Sequence, residues 1–157
     1  MAARSNAVAE PTERVLVITR TFDAPRSLVF QAWTEPEHLV HWWGPRGFTT
    51  TVVHNEVRPG GAYCFHMRGP ENDDHWSRGV YREVVEPEWF VMAGAWTDAD
   101  GKPVSPETLL TVTFEEHEGK TKLTLHQAIF ESVTARDAHH GGWNSSLDRL
   151  AEYLTKA

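Results

Sequence analysis

The chain has 157 residues, of which 40% are hydrophobic and 24% charged, the balance of one globular domain and not of a collagenous, low-complexity or membrane-spanning chain. A formal net charge of −7 with nine histidines counted neutral repels phosphate backbones and anionic lipid surfaces, which excludes nucleic acid as an expected partner. The longest unbroken apolar run, Trp89–Trp96, falls far short of the roughly 20 residues that cross a bilayer.

Residues 1–13 are small and polar, contain Pro11 and lack the apolar stretch of a signal peptide, so they read as a flexible tail ahead of a single domain over 14–157. Cys64 is the single cysteine and has no internal partner for a disulfide; a reducing cytoplasm is the expected setting. Val15, Val17 and Thr19 alternate with Leu16, Ile18 and Arg20 in a β-branched run that predicts a strand ending at Phe22. Asp23–Ala24–Pro25 stops it. Proline is tolerated in a first helical turn, and Leu28, Val29, Ala32 and Trp33 follow at helical spacing, predicting a short amphipathic helix. Thr34–Glu35–Pro36–Glu37 has the form of a capping box opening a second helix through Leu39, Val40 and Trp43, which Gly44–Pro45 ends.

From Phe48 to Phe130, β-branched and aromatic runs are punctuated by Pro59–Gly60–Gly61, Gly69–Pro70, Glu86–Pro87, Asp100–Gly101 and Glu118–Gly119. Such short links cannot carry parallel crossovers, so they predict an antiparallel meander of about six strands. Alternation sends Tyr63, Phe65 and Met67 to one face against Cys64, His66 and Arg68. It likewise turns Val112, Phe114, Leu123, Leu125 and Ile129 inward. The last segment, from about Ala135 to Thr155, predicts a helix with Thr134 and Asp137 at its start and Trp143, Leu147, Leu150 and Leu154 in one stripe. That stripe needs an apolar partner, and the inward face of a curved sheet is the large one available. Gly141 and Gly142 inside this helix each cost about 1 kcal/mol against alanine, a cost that close packing or room for a ligand would explain.

This α+β order of one strand, two short helices, about six strands and a long helix resembles the helix-grip, START-like (SRPBCC) superfamily. Specifically, it is similar to the bacterial homologues of the Hsp90 ATPase activator's C-terminal domain. The resemblance lies in Phe22–Asp23–Ala24–Pro25, AWTEPEHLVHWWGP from Ala32 to Pro45, VRPGGAY from Val57 to Tyr63 and MRGP from Met67 to Pro70. It continues in GVYREVVEPE from Gly79 to Glu88, LTVTFEEHEGKTKLTL from Leu110 to Leu125 and GGWNSSLDRLAEYL from Gly141 to Leu154. Two positions depart from the pattern: Glu56 stands for an expected aspartate, and Glu86–Pro87 replaces a paired proline. The resemblance implies a six- to seven-stranded sheet wrapped around the terminal helix. It also implies a cavity between them for lipids, polyketides or other apolar compounds, and a stress-response setting. A chaperone partner is not expected, because the eukaryotic co-chaperone carries a separate chaperone-binding domain for which this length leaves no space.

Seven tryptophans supply large rings, each with one N–H, suited to lining such a cavity. The expected ligand-binding set is Trp33, Trp43, Phe48, Tyr63, Phe65, Met67, Trp96, Gln127, His139, Trp143 and Leu147. Gln127 follows the inward register of Leu123 and Leu125, where an unpaired amide would cost about 1–3 kcal/mol, so it needs a partner. His139 and His140 point about 100° apart on a helix, which leaves one of them to face the cavity mouth. His38 and His41 share a helix face, with Glu35 three residues before His38, but the spacing fixes no third ligand for the pair, and the histidines read as surface residues. The acidic stretch Glu71–Asp74 and the pair Glu115–Glu116 read as solvated turns. Neither glycine pair fits a phosphate loop, and no nucleophile elbow is present. The expectation is thus a binding protein for a small hydrophobic molecule, with no catalytic residue, metal or cofactor assigned and homodimerisation left open. The alternatives are a metal-free cyclase- or dehydratase-type enzyme using Gln127, Tyr63 or His139, and a chaperone-interacting module.

Overall fold

The computed structural model describes residues 11–156. Most of the expected tail therefore lies outside the described residues, and Pro11–Arg14 form a single 3-10 turn. Among the described residues, seven strands follow the sequence expectation: β1 (Leu16–Phe22), β2 (Thr49–Asn55), β3 (Ala62–Arg68), β4 (Asp74–Val85), β5 (Trp89–Thr97), β6 (Thr108–His117) and β7 (Lys120–Ala128). They pair antiparallel throughout in the order β1-β7-β6-β5-β4-β3-β2, so the first strand closes onto the last and β2 forms the far edge. Bulges between Val52 and His54 and between Tyr81 and Glu83 bend the β2–β3–β4–β5 part of the sheet.

Helices α1 (Arg26–Thr34) and α2 (Pro36–Leu39) bridge β1 and β2, and α3 (Val133–Leu154) covers the concave face. The C-terminal half of α3 buries Leu147, Leu150 and Leu154 against the sheet. Beneath it the rings of Phe30, Trp33, Phe90 and Phe114 meet with centroids 5.3–6.4 Å apart, most of them edge to face. Edge contacts of this kind add about 0.5–1.5 kcal/mol per pair beyond burial.

Four local expectations are corrected. Thr34 is still the last residue of α1, and its hydroxyl donates to the Phe30 carbonyl at 2.9 Å. The N-cap of α2 is Glu35, without a side-chain cap, and α2 stops at Leu39, after which the His41 and Trp42 N–H groups bond three residues back to the His38 and Leu39 carbonyls. The long helix begins two residues earlier than its apolar stripe indicated, since the Ser132 hydroxyl, not Thr134, accepts from the Ala135 N–H at 3.0 Å. Ile129 is exposed and Phe130 buried in its place; β7 ends at Ala128, and the two-residue alternation holds only inside a strand. Cys64 lies on the outer face as expected, yet it is fully buried as a free thiol. Glu56, one of the departures, staples its own turn: its backbone N–H donates to the Ala62 carbonyl at 2.9 Å, and its carboxylate accepts from the Ala62 N–H at 3.1 Å.

Candidate functional site

The hydrophobic stripe of α3 does not run its full length. Its N-terminal half presents Ala135, Ala138, His139, Gly142 and Trp143 toward the sheet, and too little side chain stands there to fill the concavity. A cavity of about 460 Å³ remains between this half of α3 and the ends of β3 to β7, within the roughly 300–1,000 Å³ range of small-molecule sites. The small residues of the helix are thus what keeps the space open. Among the described residues, a Cβ on Gly142 would have only Pro45 within 4 Å, at 3.7 Å, and one on Gly141 would have nothing.

Eight of the eleven expected residues line this space: Trp43, Phe48, Tyr63, Met67, Trp96, Gln127, His139 and Trp143. Trp33, Phe65 and Leu147 do not. They are at most 1% exposed in the solid core, with Trp143 stacked on Trp33 at 5.7 Å and Trp43 against Phe65 at 4.8 Å. Trp43 and Trp143 therefore form the partition between core and cavity. The Trp33 indole nitrogen is the buried side-chain polar atom without a hydrogen-bond partner among the described residues. The rings of Trp42, Trp43, Phe90, Phe114 and Trp143 surround that side chain.

The polar wall groups are latched to one another across the space. Trp143 Nε1–H donates to Gln127 Oε1 at 2.8 Å, and Gln127 Nε2 donates to Thr108 Oγ1 at 2.9 Å. Gln127 thus finds the partner its buried amide requires, and the bond ties α3 to β7 and β6. On the other side, His139 Nδ1 lies 2.8 Å from the Ala135 carbonyl while Nε2 receives the Trp96 indole N–H at 3.0 Å. A carbonyl cannot donate and an indole N–H cannot accept, so these partners assign the Nδ1–H tautomer. His140 points out to solvent beside Asn144.

Tyr63 crosses the sheet over a glycine pair. Gly79 opposes both Tyr63 on β3 and Gly94 on β5, and a Cβ on Gly94 would stand 1.9 Å from the Tyr63 oxygen. Only hydrogen-sized side chains admit the ring there. Burial pushes the Tyr63 phenol well above its ordinary range, with the Ser77 side chain working the other way.

The rim is held by α3. Arg149 Nη1 donates to the carbonyls of Gly44 at 2.8 Å and Pro45 at 3.2 Å, and Nη2 to that of His41 at 3.3 Å. This clamps the loop that carries Trp43, Pro45 and Phe48 to the cavity. Burial lowers the Arg149 pKa from its ordinary value, with Arg46 adding to the effect. Ser105, Pro106, Thr108 and Glu131 complete the opening. They come from the loop before β6, the start of that strand and the link after β7, where the sequence carries no periodicity, so nothing in it marked them. The expected surface histidine pair is engaged elsewhere: His38 Nδ1 lies 2.6 Å from the Tyr153 hydroxyl, and His41 stacks on the same ring. Asp73 and Asp74 in the acidic turn pair with His75 and with His66 and Arg68. Among the described residues no three His, Cys, Asp or Glu side chains are grouped as a metal site.

The family model for activator of Hsp90 ATPase homolog 1-like proteins matches residues 23–155. The chain belongs to that family. Protein Ms6760 from Mycobacterium smegmatis is similar in structure, with a TM-score of 0.81 at 28% identity over 94% of each chain. Protein CV1439 from Chromobacterium violaceum gives 0.80 at 26% identity, covering 88% of this chain and 95% of its own. The AHSA1 protein from Silicibacter pomeroyi shares the fold at a TM-score of 0.81 and 24% identity, covering 90% and 97%. No curated protein matches the sequence. Among the described residues no helix is long and apolar enough to cross a membrane.

Proposed function

We propose that this member of the family binds a small apolar or aromatic molecule between the sheet and the N-terminal half of α3. The observation that carries the reading is the cavity of about 460 Å³ walled by Trp43, Phe48, Tyr63, Trp96 and Trp143. Aromatic walls of this kind hold a ligand by shape and contact area, with a few polar groups setting its orientation. Enzymatic proton transfer has less support: both ring nitrogens of His139 are engaged by protein groups, and burial disfavours ionisation of Tyr63. A reducing cytoplasm belongs to the same reading, and the free, buried Cys64 thiol fits it.

Titration with N-phenyl-1-naphthylamine, an uncharged apolar fluorophore, tests it. The dye should brighten on binding with one site per chain. Gly142→Leu places a branched side chain in the cavity while improving helix propensity, so it should keep the melting temperature and weaken the dye at least tenfold. Absence of dye binding, or equal binding by this variant, would end the proposal.

A further inference from the structure

We infer that the occupant of this cavity is an uncharged molecule bearing an oxygen acceptor that seats against Gln127 and Thr108, and that the site rejects carboxylates of the same shape. The inference rests on the binding reading above and assigns its chemical class. Most polar side chains of the wall are already spent: Trp143 and Trp96 on Gln127 and His139, His139 on Ala135, and Ser105 on the Trp96 backbone and the Pro106 carbonyl. Tyr63 and Ser77 interact with each other. What is left is neutral. The Trp143 bond fixes which end of the Gln127 amide is oxygen, so its nitrogen faces Thr108 and retains a second N–H. The Thr108 hydroxyl accepts from that nitrogen at 2.9 Å and keeps its own proton for another acceptor. Ser146 adds one more hydroxyl along the helix.

Two adjacent donors, the second Gln127 N–H and the Thr108 O–H, suit a carbonyl, ether or hydroxyl oxygen. An anion is poorly served, since no lysine or arginine is among the described residues that line the cavity, while the titratable rim residues are His75 and Glu131. Glu131 is exposed at the opening, and His75 is already paired with Asp73. An ionised carboxylate entering this space would lose its hydration without gaining a counter-charge, and the net charge of −7 opposes its approach.

A matched series separates the contributions: 2-acetylnaphthalene, 2-ethylnaphthalene and 2-naphthoate, each titrated by calorimetry and by quenching of tryptophan fluorescence at neutral pH. The ketone should bind at least fivefold more tightly than the hydrocarbon and at least tenfold more tightly than the carboxylate. Thr108→Val, which leaves the Trp143–Gln127 bond in place, should erase the preference for the ketone over the hydrocarbon. Gln127→Leu should do the same, with its melting temperature reporting any loss of the Trp143 latch. Equal or tighter binding of the carboxylate, or a ketone preference that survives either substitution, would overturn the assignment while leaving the cavity as a binding site. Failure of all three compounds to bind would remove the binding reading and this inference with it.

Discussion

At the scale of single residues, the site depends on positions where a side chain is missing. Gly94 admits the Tyr63 ring because a Cβ there would meet the phenol oxygen at 1.9 Å and the Arg78 carbonyl at 2.5 Å. Gly94→Ala should therefore destabilise the protein by about 1–3 kcal/mol, the usual cost of overpacking, measured as the shift in a urea midpoint. Tyr63→Phe in the same chain should recover only part of this, because the backbone carbonyl cannot move away. Gly141 is the opposite case: exposed, helical and with nothing within 4 Å of where a Cβ would stand. Gly141→Ala should stabilise by about 0.5–1 kcal/mol through helix propensity alone; an unchanged or lowered melting temperature would show that the glycine has a packing role.

At the scale of elements, the cavity is held open by what α3 does at each end. Its C-terminal half fills the core with leucines, and Arg149 from the same half reaches back to fix the loop between α2 and β2. Hydrogen bonds to a charged group contribute about 1.5–3 kcal/mol where they are shielded, so Arg149→Met should cost about 2 kcal/mol of stability. It should also weaken N-phenyl-1-naphthylamine more than threefold, since Pro45 and Phe48 lose their support. Arg149→Lys should restore little, because an ammonium lacks the planar fork that serves several carbonyls at once. Full rescue by lysine would show that charge, not geometry, holds the loop.

At the scale of the whole molecule, two buried phenols tie the sheet together. Tyr81 donates to Asn55 Oδ1 at 2.6 Å, and Asn55 Nδ2 donates to the Thr34 carbonyl at 2.8 Å, linking β4, β2 and the end of α1. Burial raises the pKa of both Tyr81 and Tyr63 above the ordinary value. For a phenol that ionises less readily when folded, the folded state holds its proton longer than the unfolded chain. The contribution is whole below about pH 10, the unfolded value, and is lost as pH climbs toward the raised folded one. Thermal stability should then fall above about pH 10, and Tyr81→Phe should flatten that decline while lowering stability at neutral pH by about 1 kcal/mol. Parallel alkaline curves for the two proteins would contradict this.

Much of this architecture was legible in the chain because it rests on short-range periodicities. Alternation marked the strands, short turns required antiparallel pairing, and the leucine spacing of the last helix showed which face it buries. Tyr63, Met67 and Gln127, among the eight that line the cavity, follow from the same register rules. What the sequence could not carry was depth along each element. Trp33, Phe65 and Leu147 share the inward faces of their neighbours, yet they sit on the filled side of the Trp43–Trp143 partition; periodicity reports a face and not a distance from the cavity. The register rules also failed one residue past a strand end, at Ile129, and the rim loops gave no periodic signal at all. The partners of Gln127 and His139 belong to this second group, since hydrogen bonds between side chains 16 and 43 positions apart exist only once the sheet has curled around the helix. The sequence by itself determined which faces turn inward; tertiary packing alone decided where side-chain volume runs out, because an empty space is a property of all its walls together.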